Sequence, residues 1–228
     1  MTISDAPSPA EMVPVDYLLL DYVWNALMEA SSFSYWGHPS ENRWTFSPPP
    51  HNLADNQLAD RLLRLLALGL LFSQINGQVL PKPTRSELLD YIRMDIQSRP
   101  RFQDCFFIGL TPRGGDLWEG HFSPDWSKYY CGVGFDYDEE SDLPIPPSFR
   151  LEAREEDFLR YVFEAYLKTR VPKPGTVKWE RLEPWHVTYW KDLPYGYRVE
   201  FEVLEEHLVL QDPDWHKLES IVWRRYDY

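Results

Sequence analysis

The sequence predicts an α+β fold, and three observations carry that reading. Apolar residues recur at helical spacing through most of the chain before residue 131. Near residue 200 they alternate strictly with charged residues. Between these stretches lies an acidic, Pro-rich passage at 132–148. Helices gathered first and strands gathered last mark α+β rather than alternating α/β architecture. The expected organisation is a mainly helical part over 1–131, a linker or loop over 132–148, and a helix with antiparallel strands over 149–228.

In order along the chain, VDYLLLDYVWNALMEA (15–30) places Val15, Leu18, Leu19, Tyr22, Val23, Ala26 and Ala30 on one helical stripe, with Asp16, Asp21, Asn25 and Glu29 off it. This spacing predicts an amphipathic helix. A loop with three successive prolines at 48–50 follows. Residues 53–71 form a second helix with Leu58, Leu62, Leu65 and Leu66 on one face, weakened at its end by Gly69. Asn76-Gly77 is a hairpin signal, because both residues accept the positive φ of a tight turn. Thr84 and Glu87 then form a capping box ahead of a helix carrying Leu88, Leu89, Ile92 and Ile96. FFIGL (106–110) reads as a buried strand, and Thr111-Pro112 as the cap and first residue of another helix. After the passage at 132–148, residues 152–168 read as a helix with Phe158, Leu159, Val162, Phe163 and Tyr166 on one stripe. In YGYRVEFEVLE, Tyr197, Val199, Phe201 and Val203 alternate with Arg198, Glu200 and Glu202, the pattern of a half-buried strand. HVTYWK (186–191) and SIVWRRY (220–226) are expected as its neighbours.

Charge bounds the function classes. The chain of 228 residues carries a formal net charge of −13 and is 16% aromatic. Residues 1–51 hold six carboxylates against one cation, 52–120 are balanced, and 121–228 hold 22 against 14. An acidic chain repels nucleic acid at long range and attracts basic proteins. No apolar run reaches the ~18 residues of a membrane span. The first residues lack the basic and apolar regions of a signal peptide. Cys105 and Cys131, outside any CxxC pair, fit reduced thiols. A cytoplasmic chain is the expectation.

FFIGLTPRGGDLW (106–118), with the leucine-rich helix and the capped TRSELLDYI helix, resembles the end of the wing in winged-helix regulators. The resemblance covers 53–120 and implies a DNA-binding transcription regulator. One departure stands out: between Thr84 and Thr111 there is room for one capped helix and few further residues, so the recognition helix is missing. The unit is expected to be degenerate. Arg93, Arg99, Arg101 and Arg113 are expected to pair with Asp90, Asp95, Asp104 and Asp116 rather than with phosphates.

Chemical signatures are scarce. Asp136, Asp138 and Glu140 alternate as in a calcium loop, but Ser141 and Pro147 stand where that loop needs Gly and Glu. The six histidines form no zinc-spaced pair, and Glu119 with His121 is too slight a pattern for an acid–base couple. No phosphate loop, dinucleotide fingerprint or nucleophile motif occurs, so no metal, cofactor or catalytic residue is assigned. What remains is an acidic protein-binding module that inhibits or regulates a partner, with an immunity or antitoxin protein facing a basic toxin as one concrete form. The winged-helix regulator is the alternative, and an enzyme with a non-contiguous site the second alternative. The candidate partner-binding residues are Asp138, Glu139, Glu140 and Asp142 for electrostatic steering, with Trp36, Trp44 and Trp126 as aromatic anchors.

Overall fold

The computed structural model describes residues 12–33, 51–94, 105–138 and 143–204. The chain divides into two compact units, Met1–Ser123 with Thr188–Lys191, and Pro124–Val187 with Asp192–Tyr228. Both combine helices with antiparallel sheet, as the α+β reading expects.

The first unit opens with α1 (Pro14–Tyr22). This helix stops eight residues before the expected end at Ala30, because its successors spend their backbone bonds elsewhere. Val23 leaves helical geometry (φ −110°, ψ 7°), and β1 (Met28–Glu29) pairs with Phe107 and Ile108 of β4 (Phe107–Leu110). The Ala30 N–H then donates to the Phe106 carbonyl at 2.9 Å. Asp16, off the apolar stripe in the sequence, is buried: its carboxylate accepts from the Val13 N–H (3.1 Å) and from Arg64 (2.9 Å).

Arg64 belongs to α2 (Asp55–Ala67), whose Leu58, Leu62 and Leu65 are buried as the stripe predicts. Gly69, at φ +66°, ends the helix and turns the chain into β2 (Leu71–Ile75). Asn76 and Gly77 both adopt positive φ, 53° and 71°, and return the chain as β3 (Gln78–Val79). In α3 (Arg85–Ile92) the expected capping box is formed: the Glu87 N–H donates to Thr84 Oγ1, and the Thr84 N–H donates back to the Glu87 carboxylate at 2.7 Å. The Thr84 donors hold the Glu87 carboxyl below its ordinary range. The sheet order β1-β4-β2-β3 puts the FFIGL strand inside, with Phe107 and Leu110 buried.

After β4, Thr111 caps α4 (Pro112–Phe122) by accepting from the Gly114 N–H at 3.0 Å. The Gly114-Gly115 pair inside this helix, a poor choice by propensity, follows from close approach on both sides. A Cβ on Gly114 would lie 2.0 Å from the Leu70 carbonyl oxygen, and one on Gly115 would lie 2.0 Å from the Trp190 ring. Trp190 comes from Thr188–Lys191, which belongs to this unit. Its indole N–H donates to the Trp24 carbonyl at 2.6 Å, and the neighbouring Lys191 pairs with Glu119 at 2.6 Å. Tyr189 donates its hydroxyl to the Val23 carbonyl and accepts from the Leu110 N–H; burial pushes its ionisation above the ordinary phenol range.

In the second unit the expected linker at 132–148 is largely strand. β5 (Tyr130–Asp138) and β6 (Leu143–Ala153) form a long antiparallel hairpin. Two glycines and three prolines hide this in the sequence, since both residues are rare in strand interiors. The unit boundary therefore falls at Ser123/Pro124. α5 (Glu156–Leu167) starts four residues later than expected, because Glu152 and Ala153 end β6. The sheet order is β5-β6-β10-β7, with β7 (Lys178–Leu182) and β10 (Gly196–Glu202). Leu151, Val199 and Phe201 face Leu159 and Val162 of α5 and form the unit's core. The expected pairing of HVTYWK beside β10 does not occur: β8 (Trp185–Thr188) pairs with β9 (Lys191–Leu193), while β6 and β7 hold both sides of β10. Residues 220–226 lie outside the described residues.

The glycine packing generates a graded expectation. Ala in place of Gly114 or Gly115 should lower stability by about 1–3 kcal/mol through overpacking, despite its better helix propensity. Gly120→Ala in the same helix meets open space and should be neutral or stabilising by up to ~1 kcal/mol. Urea unfolding followed by Trp fluorescence checks all three; equal effects would contradict the close-packing account.

Candidate functional site

Of the acidic run, Asp136 and Asp138 belong to β5 of the second unit's sheet. Regular pairing runs from Tyr130↔Ala153 to Phe135↔Ser148, the register shifts once, and Asp138↔Leu143 closes the hairpin. Asp138 is thus the last residue of β5. Glu139, Glu140 and Asp142, which join it to β6, lie outside the described residues, as do Trp36 and Trp44. From Tyr129 to Phe149 the sequence carries five carboxylates and no Lys or Arg.

Trp126 does not provide an exposed anchor. It opens a 3₁₀ turn, Trp126–Lys128, and is 8% exposed, with its ring edge-on to Tyr129 at 5.5 Å. Asp125 holds the turn by accepting from the Ser127 hydroxyl (2.6 Å) and N–H (3.1 Å), which keeps its carboxyl below the ordinary range. A Trp preceded by Ser-Pro-Asp looks like a loop residue in sequence; the Asx-type turn is what folds it inward.

The sheet face away from α5 is a lattice of charge. Cross-strand register brings Arg198 opposite Glu152 and Glu200 opposite Arg150. The resulting contacts are Arg198–Glu152 at 2.7 Å, Arg198–Glu180 at 3.4 Å and Arg150–Glu200 at 2.7 Å. Lys173 pairs with Glu202 at 2.7 Å. The more exposed pairs, Arg150–Glu200 and Lys173–Glu202, stabilise by at most ~1 kcal/mol each, whereas Arg198–Glu152 is part-buried. One open depression of about 210 Å³, lined by residues including Arg150, Lys178 and Glu200, is smaller and more polar than a ligand pocket of ~300 Å³ or more.

Among the described residues, the remaining chemistry-bearing side chains do not converge. Glu119 and His121, two apart on α4, point in different directions: Glu119 pairs with Lys191, and His121 stacks on Tyr17 with centroids 3.7 Å apart. His186 contacts Asp192 at 2.6 Å on an exposed surface. Both cysteines are free thiols, and burial pushes the Cys131 thiol up, away from the reactive thiolate. Among the described residues no group of three or more His, Cys, Asp or Glu is placed to hold a metal, and no helix is long and apolar enough to cross a membrane. Arg93 pairs with Asp55 of α2 at 3.0 Å, while Asp95 and Asp104 lie outside the described residues. Arg99 and Arg101 lie outside the described residues.

No protein-family model matches the chain, and no curated protein or solved structure matches it either. The strand edge and the charge lattice escaped the sequence reading. Their signal, alternate charges at Arg150, Glu152, Arg198 and Glu200, becomes visible once β6 and β10 are known to pair.

Two outcomes follow. Trp126→Ala should cost about 3–5 kcal/mol of stability, as for a large buried aromatic, measured as a shift in the denaturation midpoint. A midpoint unchanged by the substitution would contradict its packing role. In a mobility-shift assay at physiological salt, the chain should give no band that survives competitor duplex, because its net charge opposes the phosphate backbone.

Proposed function

We infer that this chain is an acidic protein-binding module that inhibits or regulates a basic partner, approached through the acidic end of the β5–β6 hairpin. The observation that supports the reading is that Asp136 and Asp138 belong to β5, a strand paired with β6, in a stretch of sequence with no compensating Lys or Arg. The backbone of Asp136 and Asp138 is held by the strand they belong to. Opposite potentials then raise the encounter rate and reject wrong partners. An immunity or antitoxin role against a basic toxin is one form this takes. The shallow polar depression and the self-neutralised sheet face fit a protein surface better than a small-molecule site.

The test is capture from a host lysate, followed by kinetics on the captured basic protein at two salt concentrations. The variant carries Asp138→Asn, Glu139→Gln, Glu140→Gln and Asp142→Asn together. It should associate about tenfold more slowly at low salt, with a smaller change in dissociation. The deficit should shrink at high salt, where screening falls to ~8 Å or less. An association rate indifferent to both salt and these substitutions would sink the reading.

A further inference from the structure

β5 is the outer strand of the sheet β5-β6-β10-β7, and among the described residues it pairs with β6 alone. An outer strand presents a row of N–H and C=O groups that template pairing with another chain, and edges are usually blunted by Lys, Pro, brevity or a bulge. The sheet's other edge follows that rule: β7 displays Lys178 and Arg181, both exposed. In the first unit the outer strands β1 and β3 are two residues each. β5 differs from all of these. It is nine residues long, YCGVGFDYD, without Lys, Arg or Pro. Its register stays regular over the six residues Tyr130–Phe135, and the irregularity comes only after them.

The two faces of this edge are unequal. On the α5 side stand Gly132 and Gly134, opposite Leu151 and Phe149. A Cβ on Gly132 would meet the Tyr166 hydroxyl at 2.7 Å, and one on Gly134 the Phe149 ring at 3.1 Å. Both glycines are exposed, so the edge there is a notch floored by backbone and walled by half-buried rings. A bulky side chain on an adjacent strand fills such a notch, as aromatic neighbours shield edge glycines in designed sheets. On the other side Val133 is 40% exposed. The Arg170 guanidinium lies over Phe149 and Tyr166 at 4.4 and 4.9 Å, which disfavours further cations beside the notch. Towards the hairpin end the five carboxylates favour them.

We propose that β5 accepts an extended segment of the basic partner as a fifth strand, with an aromatic or large aliphatic side chain beside Gly132 and Gly134 and Lys or Arg toward the end of β5 that carries Asp136 and Asp138. Main-chain hydrogen bonds supply the affinity in this mode, and alternate side chains the specificity. The proposal rests on the basic-partner reading, and adds the contact element and the side-chain pattern the partner must present.

The probe is a short synthetic peptide alternating Thr with Phe or Val and ending in two Lys, added to the full chain under hydrogen exchange. Exchange over Cys131–Phe135 should slow by about tenfold or more on binding. The same peptide methylated on alternate backbone nitrogens should give no protection. Val133→Lys, at an exposed position that tolerates the change, should weaken binding about fivefold or more by adding a cation to the edge. Absence of binding at millimolar peptide, or binding that leaves β5 unprotected, overturns the proposal. So does a free chain whose β5 amides all exchange as slowly as those of β10, or a self-association that protects them, since another occupant then holds the edge. Protection that survives neutralising residues 138–142 supports the edge while ending the steering argument. Salt-sensitive binding without β5 protection does the reverse.

Discussion

The backbone carbonyl of Leu70 is the point on which the first unit's helices and sheet depend. α2 ends one turn earlier; Gly69 takes the left-handed conformation, and the Leu70 N–H returns to the Leu65 carbonyl at 3.0 Å. The Leu70 oxygen then accepts from the Thr111 N–H at 3.0 Å and from its hydroxyl at 3.2 Å. That single hydroxyl proton is shared with the nearer Gly69 carbonyl, 2.7 Å from Thr111 Oγ1. One threonine thus caps α4 and ties that helix start to the end of α2. Only glycine at 114 allows the approach. With the start of α4 fixed, Trp118 lies parallel to Trp24 at 5.0 Å and donates its indole N–H to the buried Asp21 carboxylate at 2.8 Å. Within Leu-Thr-Pro-Arg-Gly-Gly, contacts inside the protein account for Leu110, Thr111, Gly114 and Gly115, while Pro112 and Arg113 are exposed.

Asp16 and Asp21 show why such contacts matter. Buried carboxylates are costly unless hydrogen-bonded or paired. Asp16 is matched by a backbone N–H and an arginine, Asp21 by an indole. His51 is buried on the same principle. Its Nδ1 accepts from the Leu53 N–H at 2.9 Å, so the ring proton sits on Nε2 and is donated to the Phe33 carbonyl at 2.8 Å. These groups link α1, α2 and α4 through specific directions, where an apolar interface would specify less.

What was legible in the sequence is what local physics decides. The Asn76-Gly77 turn, the Thr84–Glu87 box, the Thr111-Pro112 helix start and the alternation of β10 each involve a few adjacent residues, and each formed as read. The misreadings share one cause. Met28 and Glu29 suit a helix until β4 offers them hydrogen bonds, and HVTYWK suits a strand beside β10 until β6 and β7 have taken both its edges. The β5–β6 hairpin was hidden because Gly and Pro argue against strand wherever distant neighbours are unknown. For the candidate site, the acidic residues were visible but their mounting was not. Trp126 was visible, but the turn that buries it was read as a loop.

The two edges of the second sheet complete this contrast between local preference and tertiary demand. Gly in a strand costs roughly 0.5–1 kcal/mol relative to Ala, and β5 carries two. α5 explains part of that cost: Tyr166 reaches down from the helix, and a Cβ on Gly132 itself would stand 2.7 Å from its hydroxyl. The same helix presents Arg160 over Trp179 of β7, 4.5 Å from the ring, so the opposite edge is built from large and charged side chains. One helix laid across a four-stranded sheet therefore produces two unlike margins. The β7 margin is covered by side chains and carries cations, which keep strands from adding to it. Among the described residues, the β5 margin is backbone beside the half-buried rings of Phe149 and Tyr166. Under the proposed reading, Asp136 and Asp138 share one strand with the open backbone of β5, so attraction at a distance and hydrogen bonding at contact would act at one place.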